Sequence, residues 1–190
     1  MVKITESKVV VRMLMMIITV MFIALSGDFR IYAATGGKEE SDRNGDLRIV
    51  MVGDILLHDG IEKCAKQEDG SYDFSEVFRH TKDVIESADL AIVNQEVIIG
   101  GEELRVSGYP SFNAPYEIAD ELAETGFDIA CHATNHALDR GKKGIINCLD
   151  YWEANHPGIM PIGIHDSQDD REEICIYEKN GYRIAVLNYT

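Results

Sequence analysis

The stretch FDIACHATNHALDRG, residues 127–141, joins an apolar segment of strand character to a polar turn that ends at a glycine. Asn135, His136 and Asp139 lie within five residues of one another, shortly before Gly141. Buried polar groups without partners cost roughly 1–3 kcal/mol each, so these three side chains need partners. Neighbouring backbone could supply them, in which case the stretch is only the start of a helix. A metal ion or a substrate could also supply them.

The same change from strand to helix recurs along the chain. The near-continuous apolar run at residues 49–52 predicts a strand covered on both faces. Asn180-Gly181, between two apolar segments, predicts a β-hairpin. Alternating strands and helices indicate an α/β fold, with a largely parallel sheet and helices on its faces. The predicted strands occupy residues 47–57, 89–96, 127–135 and 159–165, the predicted helices residues 73–88, 114–126 and 141–158, and the hairpin residues 172–190.

Polar residues follow three of the predicted strands. In a parallel sheet, ligands bind beyond the carboxyl ends of the strands. We therefore expect five side chains to converge on one edge of the sheet: Asp54, Asn94, Glu96, Asn135 and His136. Carboxylate, amide and imidazole donors together suit Mn, Fe, Zn or Mg. Two such ions about 3.5–4 Å apart can activate a water and clamp a phosphate ester.

Each of these residues also has an ordinary structural interpretation. Asp54 could cap a helix or a turn, and Glu96 could be a solvated loop residue. Asn135 could form a turn and His136 could be an interior histidine with its hydrogen bonds satisfied. Asp139 could cap the turn or orient a neighbour. The coincidence of polar residues at three successive strand ends favours the functional interpretation.

The N-terminal segment, residues 1–34, predicts export. It has a basic start, a 13-residue apolar run from Met13 to Leu25 and then small residues, which is the layout of a secretory signal. The run is short for a spanning helix, which needs about 20 residues, yet an uncleaved signal-anchor also fits. The polar residues 35–46 are a linker. We expect the body of the protein at the extracellular side of the cell membrane, or secreted.

The charge balance excludes one class of partner. The formal net charge is −15, and residues 35–190 carry 14 basic and 31 acidic groups. A body this acidic repels nucleic acid and anionic lipid, so we do not expect DNA or RNA binding. A polyanionic substrate would need a cation in the site.

Four cysteines could form two disulfides with three connectivities. They are Cys64, Cys131, Cys148 and Cys175. Cys131 and Cys148 lie on predicted core faces, where a free cysteine behaves as a small hydrophobe. We therefore expect mostly unpaired thiols, and the cysteine and histidine spacings match no zinc motif.

Several segments resemble the CapA family, the bacterial capsule or poly-γ-glutamate synthesis proteins. The resemblance covers residues 47–190, and its most specific piece is ATNHALDRG, which follows GFD and precedes a glycine-containing helix. The motifs GD at residues 53–54 and NQE at residues 94–96 occur in the expected order. The resembling segments are IVMVGDILLH, ADLAIVNQEV, YPSFNAPYEIADELAETGFDIACHATNHALDRGKKGI and YRIAVLNYT.

The resemblance implies a layered α/β sandwich of the calcineurin-like metallophosphatase type, with divalent metal ions at the strand ends. Asp54 would be a ligand in the first motif, Glu96 the carboxylate shared between metals, and Asn135 a ligand of the second metal. His136 would lie beside the phosphate as a ligand or general acid. Asp139 would be the second catalytic candidate, by orienting the turn that holds His136.

Family members continue with further histidine motifs, HWG-like and HPH-like, after the segment that ends this chain. We therefore expect residues 47–190 to be the N-terminal half of the domain, from a truncated gene or a fragment. The resemblance implies an exported protein that supports synthesis or export of an anionic capsule polymer such as poly-γ-glutamate. Its partners would be that polymer or its membrane synthase complex. An extracellular metal-dependent phosphoesterase and a non-catalytic assembly factor are the alternatives.

Overall fold

A four-stranded parallel sheet is the central element of the computed structural model, which describes residues 45–190. The predicted signal segment and residues 35–44 of the predicted linker lie outside the described residues. A two-stranded antiparallel hairpin is separate from the central sheet. The strands are β1 (Ile49–Asp54), β2 (Leu90–Asn94), β3 (Ile129–Cys131) and β4 (Met160–Ile162) in the sheet, and β5 (Cys175–Lys179) and β6 (Tyr182–Val186) in the hairpin.

The helices lie in the connections between strands. They are α1 (Asp59–Ala65), α2 (Ser75–Phe78), α3 (Lys82–Glu86), α4 (Glu117–Thr125), α5 (Gly141–Asn155) and α6 (Gln168–Glu172), with a short 3₁₀ helix at Glu102–Leu104. The single helix predicted for residues 73–88 is wrong, because it is broken into α2 and α3. The Thr81 hydroxyl donates to the Phe78 carbonyl at the break, which is a local bond that competes with a continuous helix.

All large helices share one core with one face of the sheet. The strand order is β1-β2-β3-β4, so each crossover steps one strand in the same direction. Right-handed crossovers that step the same way place their helices on the same face. The core cluster agrees with this rule, since it joins strand residues Ala91, Val93 and Ala130 to helix residues Ile118, Leu122, Cys148 and Trp152.

The hairpin covers the other face over strands β2 to β4. A second cluster joins Leu90, Ile92, Ile129, Cys131 and Ile162 of the sheet to Cys175, Tyr177, Ile184 and Val186 of the hairpin. The hairpin turn is the predicted Asn180-Gly181, and both residues have positive φ, as a type I′ turn requires.

Strand β1 is the exception to this coverage, and the prediction that both of its faces are covered is wrong. Its side chains Val50 and Val52 pack against the helix-side core. On the other face Ile49 is 46% exposed and Met51 is 74% exposed. The physical reason is position: β1 is an edge strand, and the hairpin packs on the strands beyond it.

One further prediction meets the structure in residues 45–190. All four cysteines have free thiols, as expected, and Cys131 and Cys148 are buried. No helix in this part of the chain has both the length and the apolar character needed to cross a membrane.

Candidate functional site at the strand ends

A bulge at the end of β1 sets the position of Asp54. The register pairs Val52 with Val93 and then Asp54 with Asn94, so Gly53 is the extra residue. A bulge of this kind turns the following side chain and is common beside functional sites. The Asn94 amide donates to Oδ1 of Asp54 over 2.6 Å, which fixes the carboxylate at the carboxyl edge of β1 and β2.

Thr134 ties the loop after β2 to the turn after β3. Its hydroxyl donates to the Glu96 carbonyl over 2.7 Å and accepts the His136 backbone N–H over 3.1 Å. The Gln95 backbone N–H also donates to the Cys131 carbonyl over 2.9 Å. These bonds place the Glu96 and His136 side chains on the same side of the sheet edge.

His136 is oriented by Asp139. The His136 Nδ1 and the Asp139 Oδ2 are 2.8 Å apart, and the same oxygen accepts the Phe112 backbone N–H over 2.7 Å. Because an ionised carboxylate can only accept a hydrogen bond, Nδ1 carries the hydrogen and donates it to Asp139, which leaves Nε2 available to other partners. Nε2 lies 3.9 Å from Oε1 of Glu96, and both side chains are largely buried.

The two carboxylates oppose each other electrostatically. Burial raises the pKa of Glu96 above its usual value, and the negative charge of Asp54 raises it further. The neighbouring charges of His136 and His58 lower that pKa. A positive charge in the crevice would stabilise the ionised form of Glu96, because it would offset the repulsion between Glu96 and Asp54.

The structure brings together most of the side chains that the sequence pointed to. Asp54, Asn94, Glu96 and His136 meet at one edge of the sheet. Asn135 is exposed, and its side chain forms no hydrogen bond within the described residues. Asp139 lies behind His136 rather than beside the two carboxylates.

Sequence reasoning missed three residues of the site. His58 is exposed, its charge acts on Glu96, and its ring contacts Phe112 at 5.2 Å. Phe112 contacts the His136 ring at 4.6 Å from the other side of the crevice. Thr134 had a usable signal, because a threonine two residues before a turn residue often bonds to local backbone.

The side-chain atoms of Glu96 and His136 fit part of the coordination shell of a metal ion. Two atoms that bind one ion at about 2.0–2.2 Å can lie up to about 4.4 Å apart, so the 3.9 Å between His136 and Glu96 is compatible with a shared ion. The Asp139–His136 pair resembles the carboxylate–histidine pairs that orient metal ligands. Within residues 45–190, no group of three or more His, Cys, Asp or Glu side chains is arranged to hold a metal ion.

Comparison with known proteins gives two findings. The family model of the bacterial capsule synthesis protein PGA_cap matches residues 48–190. The PGA biosynthesis protein CapA of Bacillus subtilis (strain 168) is 23% identical over 146 residues, which cover 76% of this chain. The same alignment spans 37% of that relative's length. By the extent of the family match, this chain belongs to the PGA_cap family of bacterial capsule synthesis proteins.

Proposed function

We propose that this chain is an exported CapA-type protein that supports synthesis or export of an anionic capsule polymer such as poly-γ-glutamate. The observation that carries the proposal is the meeting of Asp54, Glu96 and His136 at the carboxyl edge of the sheet. Membership in a capsule synthesis family supports the polymer class. The body would act at the extracellular side of the cell membrane, or as a secreted protein, beside the polymer or its synthase.

We also propose that the sheet is one layer of a metallophosphatase-type sandwich. The helices on one face and the hairpin on the other support this architecture, since each face of the sheet packs against a separate layer. Residues 47–190 would then be the N-terminal half of the domain.

The site would work through a divalent cation, Mn, Fe, Zn or Mg, which would supply Lewis acidity and a bound water as nucleophile. Asp54 and Glu96 would bind it through carboxylate oxygens, and His136 through Nε2. Asn135 would supply an amide oxygen from the exposed turn. Asp139 would hold the proton on Nδ1 of His136, which keeps Nε2 available either as a ligand or as the atom that carries a proton to a leaving group.

Glu96→Gln in the full chain tests this proposal, because it removes the charge at the crevice while keeping the shape. We expect extracellular polymer output in a producing host to fall, and Mn²⁺ to lose its stabilising effect on thermal unfolding. Glu178→Gln is the matched control, since Glu178 is an exposed hairpin carboxylate paired with Arg183.

Hydrolysis of a model phosphodiester, measured on the same samples, distinguishes the capsule-polymer function from that of an extracellular phosphoesterase. Mn²⁺-dependent hydrolysis that needs Glu96, with normal polymer output, would favour the phosphoesterase. Unchanged polymer output and an unchanged Mn²⁺ response in Glu96→Gln would refute the proposed site.

A further inference from the structure

A basic groove lies beside the candidate site. Its volume is about 550 Å³, and it lies between α1 and the loop of residues 105–111. Four cationic side chains line it: Lys63, Lys66, Arg105 and Arg140. The acidic residues of the groove are Asp59 and Glu62.

This concentration of positive charge is unusual for the molecule. Residues 45–190 contain twelve Lys and Arg residues and more than twice as many acidic ones, and a third of the cations are in this groove. The ion pairs that Lys and Arg form within the described residues involve Arg79, Lys82 and Arg183, all outside the groove. Within the described residues the four groove cations therefore form no ion pair, although Asp59 and Glu62 line the same groove, and they are available to an anionic ligand.

Arg140 is fixed by neutral partners. Its guanidinium donates to the hydroxyl groups of Ser107 and Ser111 and to the carbonyls of Ser111 and Asp139. Its Nε is buried and has no hydrogen-bond partner within residues 45–190. Because hydroxyl and carbonyl groups do not neutralise the guanidinium, Arg140 keeps a full positive charge in a set position at the wall of the groove.

Glu62 narrows the class of anion. It is only 8% exposed, and its Oε1 has no hydrogen-bond partner among the described residues. Within a polymer, a phosphate and a carboxylate each carry about one negative charge, so hydrogen bonding rather than charge distinguishes them. The unpaired Oε1 acceptor suits a ligand with N–H groups, which a polyphosphate chain lacks. These features favour a polymer that carries single carboxylates along an amide backbone.

The groove and the strand-end site share a wall. Ser111 and Arg140 both bond to the Asp139 carbonyl, and the Asp139 carboxylate orients His136. Tyr109 of the groove also contacts Phe112, which packs on His136. A chain lying in the groove would therefore run alongside the candidate site, with Asp139 and Phe112 between it and His136.

From these contacts we propose that the groove binds a polycarboxylate chain with an amide backbone through Lys63, Lys66, Arg105 and Arg140, and guides it past His136. This assignment deepens the proposed function and rests on it. It also gives an acidic protein a means to hold an acidic polymer without a metal ion between them.

The test is fluorescence anisotropy of labelled poly-γ-glutamate with the full chain in detergent. The groove variant is Lys63→Gln/Lys66→Gln/Arg105→Gln, and the control Lys82→Gln/Lys179→Gln/Arg183→Gln removes the same charge elsewhere. We expect the groove variant to bind about tenfold more weakly or worse, because each exposed ion pair contributes up to several-fold. We expect binding to the control within about twofold of the original, and raising salt from about 50 mM to about 500 mM should weaken binding to the original protein.

Equal loss in both triple variants would overturn the proposal, because binding would then follow net charge alone. No binding of poly-γ-glutamate at low salt would also overturn it. Polyphosphate of equal charge that binds as tightly as poly-γ-glutamate would refute the carboxylate assignment. The groove variant leaves Asp54, Glu96 and His136 in place, so Mn²⁺ should still stabilise it against thermal unfolding even while polymer binding falls. Failure of the groove and failure of the strand-end site are thereby distinguishable.

Discussion

Two histidines four residues apart occupy opposite environments in this molecule. His132 lies in the helix-side core, where it is 1% exposed and its Nε2 accepts the Trp152 indole N–H over 3.1 Å. His136 lies at the crevice, where Asp139 bonds to Nδ1 and Nε2 is directed toward Glu96. Both belong to the segment HATNH, so residue type and sequence position alone do not separate a structural histidine from a candidate functional one.

Burial and partners make the difference between these two regions. Full burial lowers the pKa of His132 to about 3, so this ring stays neutral at physiological pH. Its Nδ1 has no hydrogen-bond partner among the described residues. At the crevice, the His136 ring has a carboxylate on one nitrogen and a second carboxylate near the other. A buried neutral ring packs, whereas a partly exposed ring between two carboxylates can bind a cation or transfer a proton.

Removing the partner of His132 should produce the largest effect on stability. Trp152 is 1% exposed and contacts the rings of both His132 and His156. Trp152→Ala should lower the free energy of unfolding by about 3–5 kcal/mol, because it leaves a large cavity in the core. Urea unfolding measures the change. Leu138→Ala, at a 67% exposed position of the crevice turn, is the control and should stay within about 0.5 kcal/mol.

The next effect concerns the carboxylate behind His136. Asp139→Ala removes the acceptor of the Phe112 N–H and of the His136 ring. We expect a loss of about 1–3 kcal/mol, because the Phe112 N–H is then left without its partner. Asp139→Asn keeps an oxygen for both donors and should retain most of the stability. Equal destabilisation by both substitutions in thermal unfolding would show that charge, not the acceptor, matters at this position.

Much of this arrangement could be predicted from the sequence. The apolar runs of β2 and β3 gave their strands, and the polar residues after them gave the meeting of Glu96 and His136. The exposed face of β1 could not be predicted, since an apolar run does not distinguish an edge strand from a central one. The bulge at Gly53 and the hydrogen bond from Thr134 to the Glu96 carbonyl both depend on how distant strands pair. The hydrophobic periodicity of the sequence carries no information about that pairing.

The pH dependence of stability should have opposite signs in the two regions. Burial lowers the pKa of His132 from 6.5 to about 3. Between these two pH values His132 is protonated in the unfolded chain and neutral in the folded chain. Stability should therefore fall by about 1–2 kcal/mol as the pH drops from 6.5 to about 5. Glu96 has a raised pKa, so its contribution to stability falls as the pH rises above 4.5.

Non-titrating variants separate these two contributions. His132→Gln keeps an acceptor for Trp152 and should flatten the acid side of the stability profile, whereas Glu96→Gln, which removes the opposing contribution, should leave that side at least as steep. Chemical unfolding at a series of pH values measures both. An acid-side slope that persists in His132→Gln would show that other groups cause it.

The smallest effect on stability should come from His136→Ala, although its functional effect should be large. The ring sits on the turn after β3, where its loss removes the bond to Asp139 and the edge contact with Phe112 but leaves the core packed. We expect a stability loss of about 1 kcal/mol or less, typical of a change outside the core.

The functional effect of His136→Ala depends on the role of Nε2. If Nε2 binds an ion, bound Mn²⁺ should fall; if it transfers a proton, the chemical step should slow by about 10²–10⁴-fold with metal retained. Asn135→Ala should lower bound metal in both cases. The measurement pairs thermal unfolding with metal analysis and polymer output on each variant. A His136→Ala protein that unfolds, yet keeps its metal content and polymer output per folded molecule, would make His136 a structural residue like His132, and the contrast between the two histidines would then be one of burial alone.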